Sequence, residues 1–416
     1  MKVWTWAVSA VAVLAVGGVA GFGVAAQQQR AALVHAPAYE LTAPAPALEP
    51  ASPAPIDATA RDAALVELAA DPALATFGAR ISSADTGEVV FDKVSAEPLR
   101  PASSTKLLTA SAALLELGPA DTIATDVVAG AHPGDVVIKA AGDVWLTEEK
   151  IDDLAAQIGS ASAVYVDVSA WPEETMLPGW NPEDIDGGYV APLEPLMLNG
   201  GRIGATEGDV PRSHTPALDV ARALADRLGA ETVGFAPAPA GAEKVAGVES
   251  PNLTTRLRAM MKDSDNVMAE AIGREIAAHR GTTSPQATLD VLTGHGYDIT
   301  HVTLSDSSGL STFNLIPPRL LDQLLLDAAR KEPLRPLLAT LPVAAGEGTL
   351  HDRYADLSGR GWVRAKTGTL DQTSALAGTV TSRVGNVYTF AFMSNGSDIT
   401  AAREAMDKLA SELREY

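Results

Sequence analysis

The chain has 416 residues, enough for two or three domains. Its 52 acidic side chains outnumber 31 basic ones, and the formal charge of −21 argues against nucleic acid as a partner and for an acidic, soluble surface. Without cysteine it has no disulfide, thiolate metal site or thiol nucleophile, and its seven histidines show no metal-ligand spacing, so neither metal nor cofactor is expected.

Residues 3–29 carry no charge and lie between Lys2 and Arg30. Such a run is either a signal peptide, with Val24-Ala25-Ala26 as a cleavage site, or an uncleaved membrane anchor. Both readings place the rest of the chain outside the cytoplasm, with membrane contact only through this segment (1–30). Residues 31–57 are rich in Ala and Pro and read as a semi-stiff linker. Folded sequence starts at Ala58. Residues 61–70 read as a helix, and 77–82 and 88–91 as strands joined at Asp85-Thr86-Gly87. Pro101 then restricts the residue before it to extended geometry, and Leu107, Leu108, Ala112, Leu114 and Leu115 form a buried helical stripe ending at Gly118.

Between Pro119 and Gly241 strand-like runs (126–128, 136–139, 163–166) alternate with helical ones (147–158, 217–228), the texture of a small α/β domain. Within it, 171–201 is rich in Pro, Gly and Trp and reads as a long loop or cap. Helical texture returns at 252–261. Ser264-Asp265-Asn266 opens another helix to 278, with Ser264 suited to cap it. Residues 306–311 form a tight turn, 319–331 a helix and 346–350 a flexible loop. Strands at 362–370, 374–381 and 387–393 precede a last helix at 401–413. Two strands before the Pro101 helix and three near the C-terminus imply an α/β (α+β) fold: one five-stranded antiparallel sheet flanked by helices, built from 58–118 and 241–416, with 119–240 inserted as a small α/β domain.

The chemistry gathers in three short motifs. In Ser103-Ser104-Thr105-Lys106 the first and last residues share one helical face at the helix mouth, which sets a hydroxyl beside an amine. That amine accepts the hydroxyl proton only if burial or a second cation lowers its pKa. Taken alone, the pair also reads as a capping serine with a solvated lysine. Ser264-Asp265-Asn266 and Lys366-Thr367-Gly368-Thr369 follow in order. The set S-x-x-K, S-D-N, K-T-G is the active-serine signature of penicillin-binding proteins and class A β-lactamases.

With these motifs, Gly142-Asp143, Tyr189 to Pro192, Ala269-Glu270, Asp306 to Ser311, Leu341 to Val343 and Gly348 to Leu350, the chain resembles the peptidase S13 family across residues 76–395. These are D-alanyl-D-alanine carboxypeptidases/endopeptidases, the class C low-molecular-mass penicillin-binding proteins, with a serine β-lactamase/transpeptidase-like fold. The resemblance implies an exported serine-type carboxypeptidase acting on peptidoglycan stem peptides and inhibited covalently by β-lactam antibiotics. It casts Ser103 as nucleophile and Lys106 as base, with Lys106 close to Ser264 and depressed by Lys366. Ser264 would relay the proton, and Asn266 would position Lys106 and the substrate amide. Lys366, Thr367, Gly368 and Thr369 would hold the terminal carboxylate, and Asp143 a substrate amine, although a turn aspartate after Gly142 fits Asp143 as well. Where the family carries a basic residue after S-G-L-S, this chain has Thr312 and Phe313.

Two alternatives share the motifs. A class A β-lactamase needs an E-x-x-x-N loop, and no Glu between Asn266 and Lys366 has Asn four residues on. A non-catalytic, anchored wall-binding protein has no need for the nucleophile and base that are both present here.

Overall fold

The computed structural model describes residues 2–32, 55–172 and 174–416. Helix α1, Lys2–Ala31, covers the expected signal or anchor segment; the side chains of residues 2–5 and 7–17 are outside the described set. Among the described residues no helix is long and apolar enough to cross a membrane. Most of the expected linker, 33–54, lies outside the described residues.

From Pro55 on, the described chain is one compact unit. It opens with α2 (Ala58–Leu68), β1 (Thr76–Ser83), β2 (Val89–Lys93) and α3 (Lys106–Glu116). Next come β3 (Ala124–Ala129), β4 (Asp135–Lys139), β5 (Asp143–Leu146), α4 (Glu148–Ile158) and β6 (Ala163–Asp167). They are followed by α5 (Glu183–Asp186), β7 (Leu196–Leu198), α6 (Pro216–Leu228), β8 (Thr232–Phe235) and β9 (Lys244–Glu249). The rest is α7 (Leu253–Asp263), α8 (Asn266–Arg280), α9 (Ser284–Gly294), α10 (Pro318–Arg330), α11 (Arg335–Thr340), β10 (Val363–Leu370), β11 (Thr373–Thr381), β12 (Val387–Asn395) and α12 (Ile399–Glu412).

The expected main sheet is present: its order is β10-β11-β12-β1-β2, antiparallel throughout, so both ends of the chain build it. Side chains alternate across a strand, and β12 shows the result. Tyr388, Phe390 and Phe392 join one core with Met406 and Leu409 of α12, while Ala391 and Met393 join the other with α3, α8 and α10. Every residue of α3 from Lys106 to Leu114 is buried. The stretch is mostly Leu and Ala, which suits a core, and burial of Leu107 and Leu108 contributes about 1.5–3 kcal/mol each. The ammonium group of Lys106 is thereby fixed inside the protein.

The inserted run forms a second sheet, β8-β6-β4-β3-β9, covered by α4 and α6. Its parallel pairs, β4–β6 and β6–β8, are those linked through helices. The expected boundary at 240 is corrected by β9, which continues this sheet to Glu249. The chain leaves the main body at Ile123 and returns at Ser250, and these two residues hydrogen-bond each other (Ile123 N to Ser250 Oγ, and Ser250 N to Ile123 O, both 2.9 Å). The 171–201 run is also more than a loop. It contains α5 and β7, and it sends Trp171, Trp180 and Ile185 into the largest core.

Candidate active site

The chain reaches the site through strained backbone. Ala102, just before Ser103, has φ +47°, and Ser264 has φ +59°. Non-glycine residues pay for this conformation, and such strain gathers at functional sites. Residues 102–105 form a 3₁₀ turn running into α3. In a 3₁₀ turn residues three apart eclipse, so Lys106 Nζ comes to lie 3.2 Å from Ser103 Oγ. Gly309 makes room for this turn: with φ +84°, a Cβ there would stand 1.9 Å from the Ala102 carbonyl.

Lys106 also donates to Asn266 Oδ1 (2.8 Å) and to the Ser308 carbonyl (2.7 Å). Full burial lowers its pKa to about 8, against the pull of Asp306, Asp265 and Glu270. Lys366, equally buried, lies well below the usual lysine range, through burial and then through the charge of Lys106. Lys106 is thus lowered as expected, with burial as the cause, and like charge adds to burial at Lys366. Burial is the larger cause at both lysines, and the carboxylates near Lys106 oppose it there. Asn266 holds Lys106 as expected, while Ser264 faces the other lysine. Ser264 Oγ accepts from Lys366 at 2.8 Å rather than from Lys106, and Asn266 Nδ2 is occupied by the Tyr189 carbonyl at 3.1 Å.

Helix α8 is capped by Asp265, not by Ser264: Asp265 Oδ1 accepts from Met268 N at 2.8 Å. Its other oxygen accepts from Arg202 and Arg212, each at 2.7 Å. Both arginines come from the inserted run, so the insertion grips the S-D-N turn. Behind the site, Glu270 Oε1 accepts from Ser307 N and Ser308 N, and burial with Asp306 nearby pushes its carboxyl up to about 8.

A cleft of about 430 Å³ opens here. Ser103, Ser264, Asn266, Thr367 and Thr369 line it, with Tyr189, Leu310, Thr349, Arg353 and Arg403. Lys106 and Lys366 lie buried behind its wall. Gly368 serves close packing: a Cβ there would stand 2.5 Å from the Pro101 carbonyl. Asp143 is not brought to the cleft. It is buried on β5, its Oδ1 accepts from Trp145 N at 2.9 Å, and burial raises its carboxyl to about 6. That is the turn-aspartate reading. Sequence reasoning passed over Arg353 and Arg403, which stand outside every motif.

The family model described as the D-Ala-D-Ala carboxypeptidase 3 (S13) family matches residues 61–210 and 204–416. The carboxypeptidase DacB of Mycolicibacterium smegmatis is 43% identical over 368 residues, 80% of this chain and 79% of the relative. A carboxypeptidase of Mycobacterium tuberculosis is 44% identical over 365 residues, with the same shares covered. Among solved structures, penicillin-binding protein 4 of Haemophilus influenzae shares the fold with a TM-score of 0.71 at 20% identity, covering 87% of this chain and all of that one.

Proposed function

Since the chain belongs to the S13 family of D-Ala-D-Ala carboxypeptidases, we propose that it removes the terminal D-alanine of peptidoglycan stem peptides through an ester on Ser103. One observation carries the residue assignment: a buried lysine with its pKa lowered to about 8 and its nitrogen 3.2 Å from a cleft-lining serine hydroxyl.

The chemistry follows from that pair. Neutral Lys106 takes the Ser103 proton as Oγ attacks the carbonyl carbon of the D-Ala–D-Ala bond. The backbone N–H groups of Ser103 and Thr369 receive the oxyanion, a contribution of roughly 3–4 kcal/mol per donor. The proton passes through the Ser264 hydroxyl to the leaving nitrogen, and free D-alanine departs as the C–N bond breaks. Water, deprotonated by Lys106, then cleaves the ester. A β-lactam is opened by the same attack, but its leaving nitrogen stays tethered and obstructs water, so the ester persists.

The experiment is mass spectrometry of the protein after benzylpenicillin. The expected result is one adduct on the peptide containing Ser103 and none on Ser103→Ala, which should also cleave no D-Ala-D-Ala peptide. An adduct on Ser104, or on no serine, would overturn the assignment. The uncharged run at residues 3–29 supports a second element of the proposal, that the catalytic unit works outside the cytoplasm, delivered or anchored by that segment. Cell fractionation that recovers the chain only from the cytoplasm would count against it.

A further inference from the structure

Alternation along β10 splits the K-T-G-T run between two faces: Lys366 and Gly368 on one, Thr367 and Thr369 on the other. The lysine face turns toward Ser264. Lys366 is wholly buried there, and its nitrogen donates to Ser264 Oγ and to the Thr367 carbonyl, both at 2.8 Å. The threonine face turns toward α12 and the turn at Gly348–Leu350. On that side the Thr367 and Thr349 hydroxyls lie 2.7 Å apart, and an Arg403 guanidinium nitrogen donates to Thr369 Oγ1 at 2.6 Å.

Charge is uneven at this end of the cleft. Arg353 is held by Asp407 through two hydrogen bonds, at 2.9 and 2.6 Å. Arg403, one helical turn before Asp407 on α12, makes no ion pair among the described residues. Asp407 thus pairs with Arg353 alone, which leaves the Arg403 guanidinium beside three hydroxyls in the cleft that Ser103 also lines. An anion with one planar, two-oxygen group fits that combination, because a guanidinium presents paired donors to a carboxylate.

We propose that Arg403, rather than Lys366, supplies the charge that recognises the substrate's terminal carboxylate, with Thr367 and Thr369 as hydroxyl partners. The assignment rests on the peptidase reading above and moves one role in it. Lys366 is left to hold Ser264, and Arg403 becomes the specificity-determining cation.

The test compares a peptide ending in D-Ala-D-Ala with its C-terminal amide on the wild-type protein, Arg403→Gln and Arg403→Lys. Arg403→Gln should lower kcat/KM for the acid by about tenfold or more, the value of a charge-assisted hydrogen bond, and leave the amide nearly unchanged. Arg403→Lys, which keeps the charge, should restore part of the acid's rate without changing the amide's. End-point labelling by saturating fluorescent penicillin should persist in both variants, which reports an intact Ser103 site. Labelled variants that lose both peptides equally, or neither, would overturn the Arg403 assignment and leave the peptidase reading standing. A wild-type protein that takes no label and cleaves neither peptide would overturn both.

Discussion

Lys106→Met should slow acylation of Ser103 by roughly 10²–10⁴-fold, the usual contribution of a positioned general base, and should flatten its pH dependence. Methionine is close to lysine in length, so the buried channel beside α3 stays filled while the base is lost. In the wild-type protein the rate should climb with pH toward a plateau above about 8, because only neutral Lys106 accepts the Ser103 proton and its pKa lies near that value. Below the midpoint each pH unit should remove about tenfold. Glu270, pushed up to about 8 by burial and by Asp306, ionises in the same window, and its new charge favours protonated Lys106 and so opposes the rise. Asp306, Asp265 and Lys366 complete the charged surroundings. Only the Lys106 limb should vanish in the methionine variant. Stability gives an independent reading. A lysine depressed from 10.5 to about 8 binds fewer protons folded than unfolded between those values, so Lys106 makes stability rise with pH there; the variant should lose that share of the slope and keep the share of Lys366, which burial also depresses. The measurement is the second-order rate of penicillin acylation from pH 6 to 9. A flat wild-type profile, or an equal slope in the variant, would remove Lys106 as the base.

What could be read from the sequence was what local spacing encodes. The main-sheet strands announce themselves by alternation and by turns such as Asp85-Thr86-Gly87, and Ser103–Lys106 by a three-residue interval that a 3₁₀ turn makes face to face. β9 is short, broken by Gly247 and flanked by Lys244 and Glu249, and its place is set by pairing with β3, more than a hundred residues earlier in the chain. Helix α9 carries the start signal Ser284-Pro285, yet the reading leaves 281–305 unassigned because its apolar stripe is narrow. The contacts that tune the site are the least visible. Thr369 and Arg403 are 34 residues apart, and Asp265 lies 63 from Arg202 and 53 from Arg212. No periodicity links such pairs. How far Lys106 is lowered depends on its burial and on carboxylates brought in by α8, its cap and the 306–311 turn, so spacing within a motif does not reveal it.

Asp265→Ala should destabilise the protein by about 3–5 kcal/mol, the effect of removing one partner from a buried ion pair. The carboxylate is fully enclosed, and so are the side chains that face it: Arg202, Arg212 and Asp265 are exposed by 1%, 2% and 0%. Burial alone would raise its pKa, but Arg212 and Arg202 outweigh that and hold it at about 2. Alanine leaves two guanidinium groups in the interior with backbone carbonyls as their remaining partners: Gly208 and Asn199 for Arg202, Gly188 and Gly200 for Arg212. It also removes the cap of α8, which contributes about 1 kcal/mol more. Asp265→Asn retains an oxygen for the cap, so it should cost less than alanine. The pH dependence has a definite sign. A carboxylate held below its unfolded value contributes stability that is complete above about pH 4 and lost as pH falls toward 2, and both variants should lack that acid limb. Because Asp265 stands between Ser264 and Asn266, acylation should fall as well, even at temperatures where the variants remain folded. Removing both arginines together with the aspartate, as Arg202→Met and Arg212→Met on Asp265→Ala, should recover a large part of the loss, since the cost is that of stranded charge. Urea unfolding of the series decides it. A loss under about 1 kcal/mol for Asp265→Ala, the range of an ordinary substitution, would mean that the inserted run does not hold the S-D-N turn through this carboxylate.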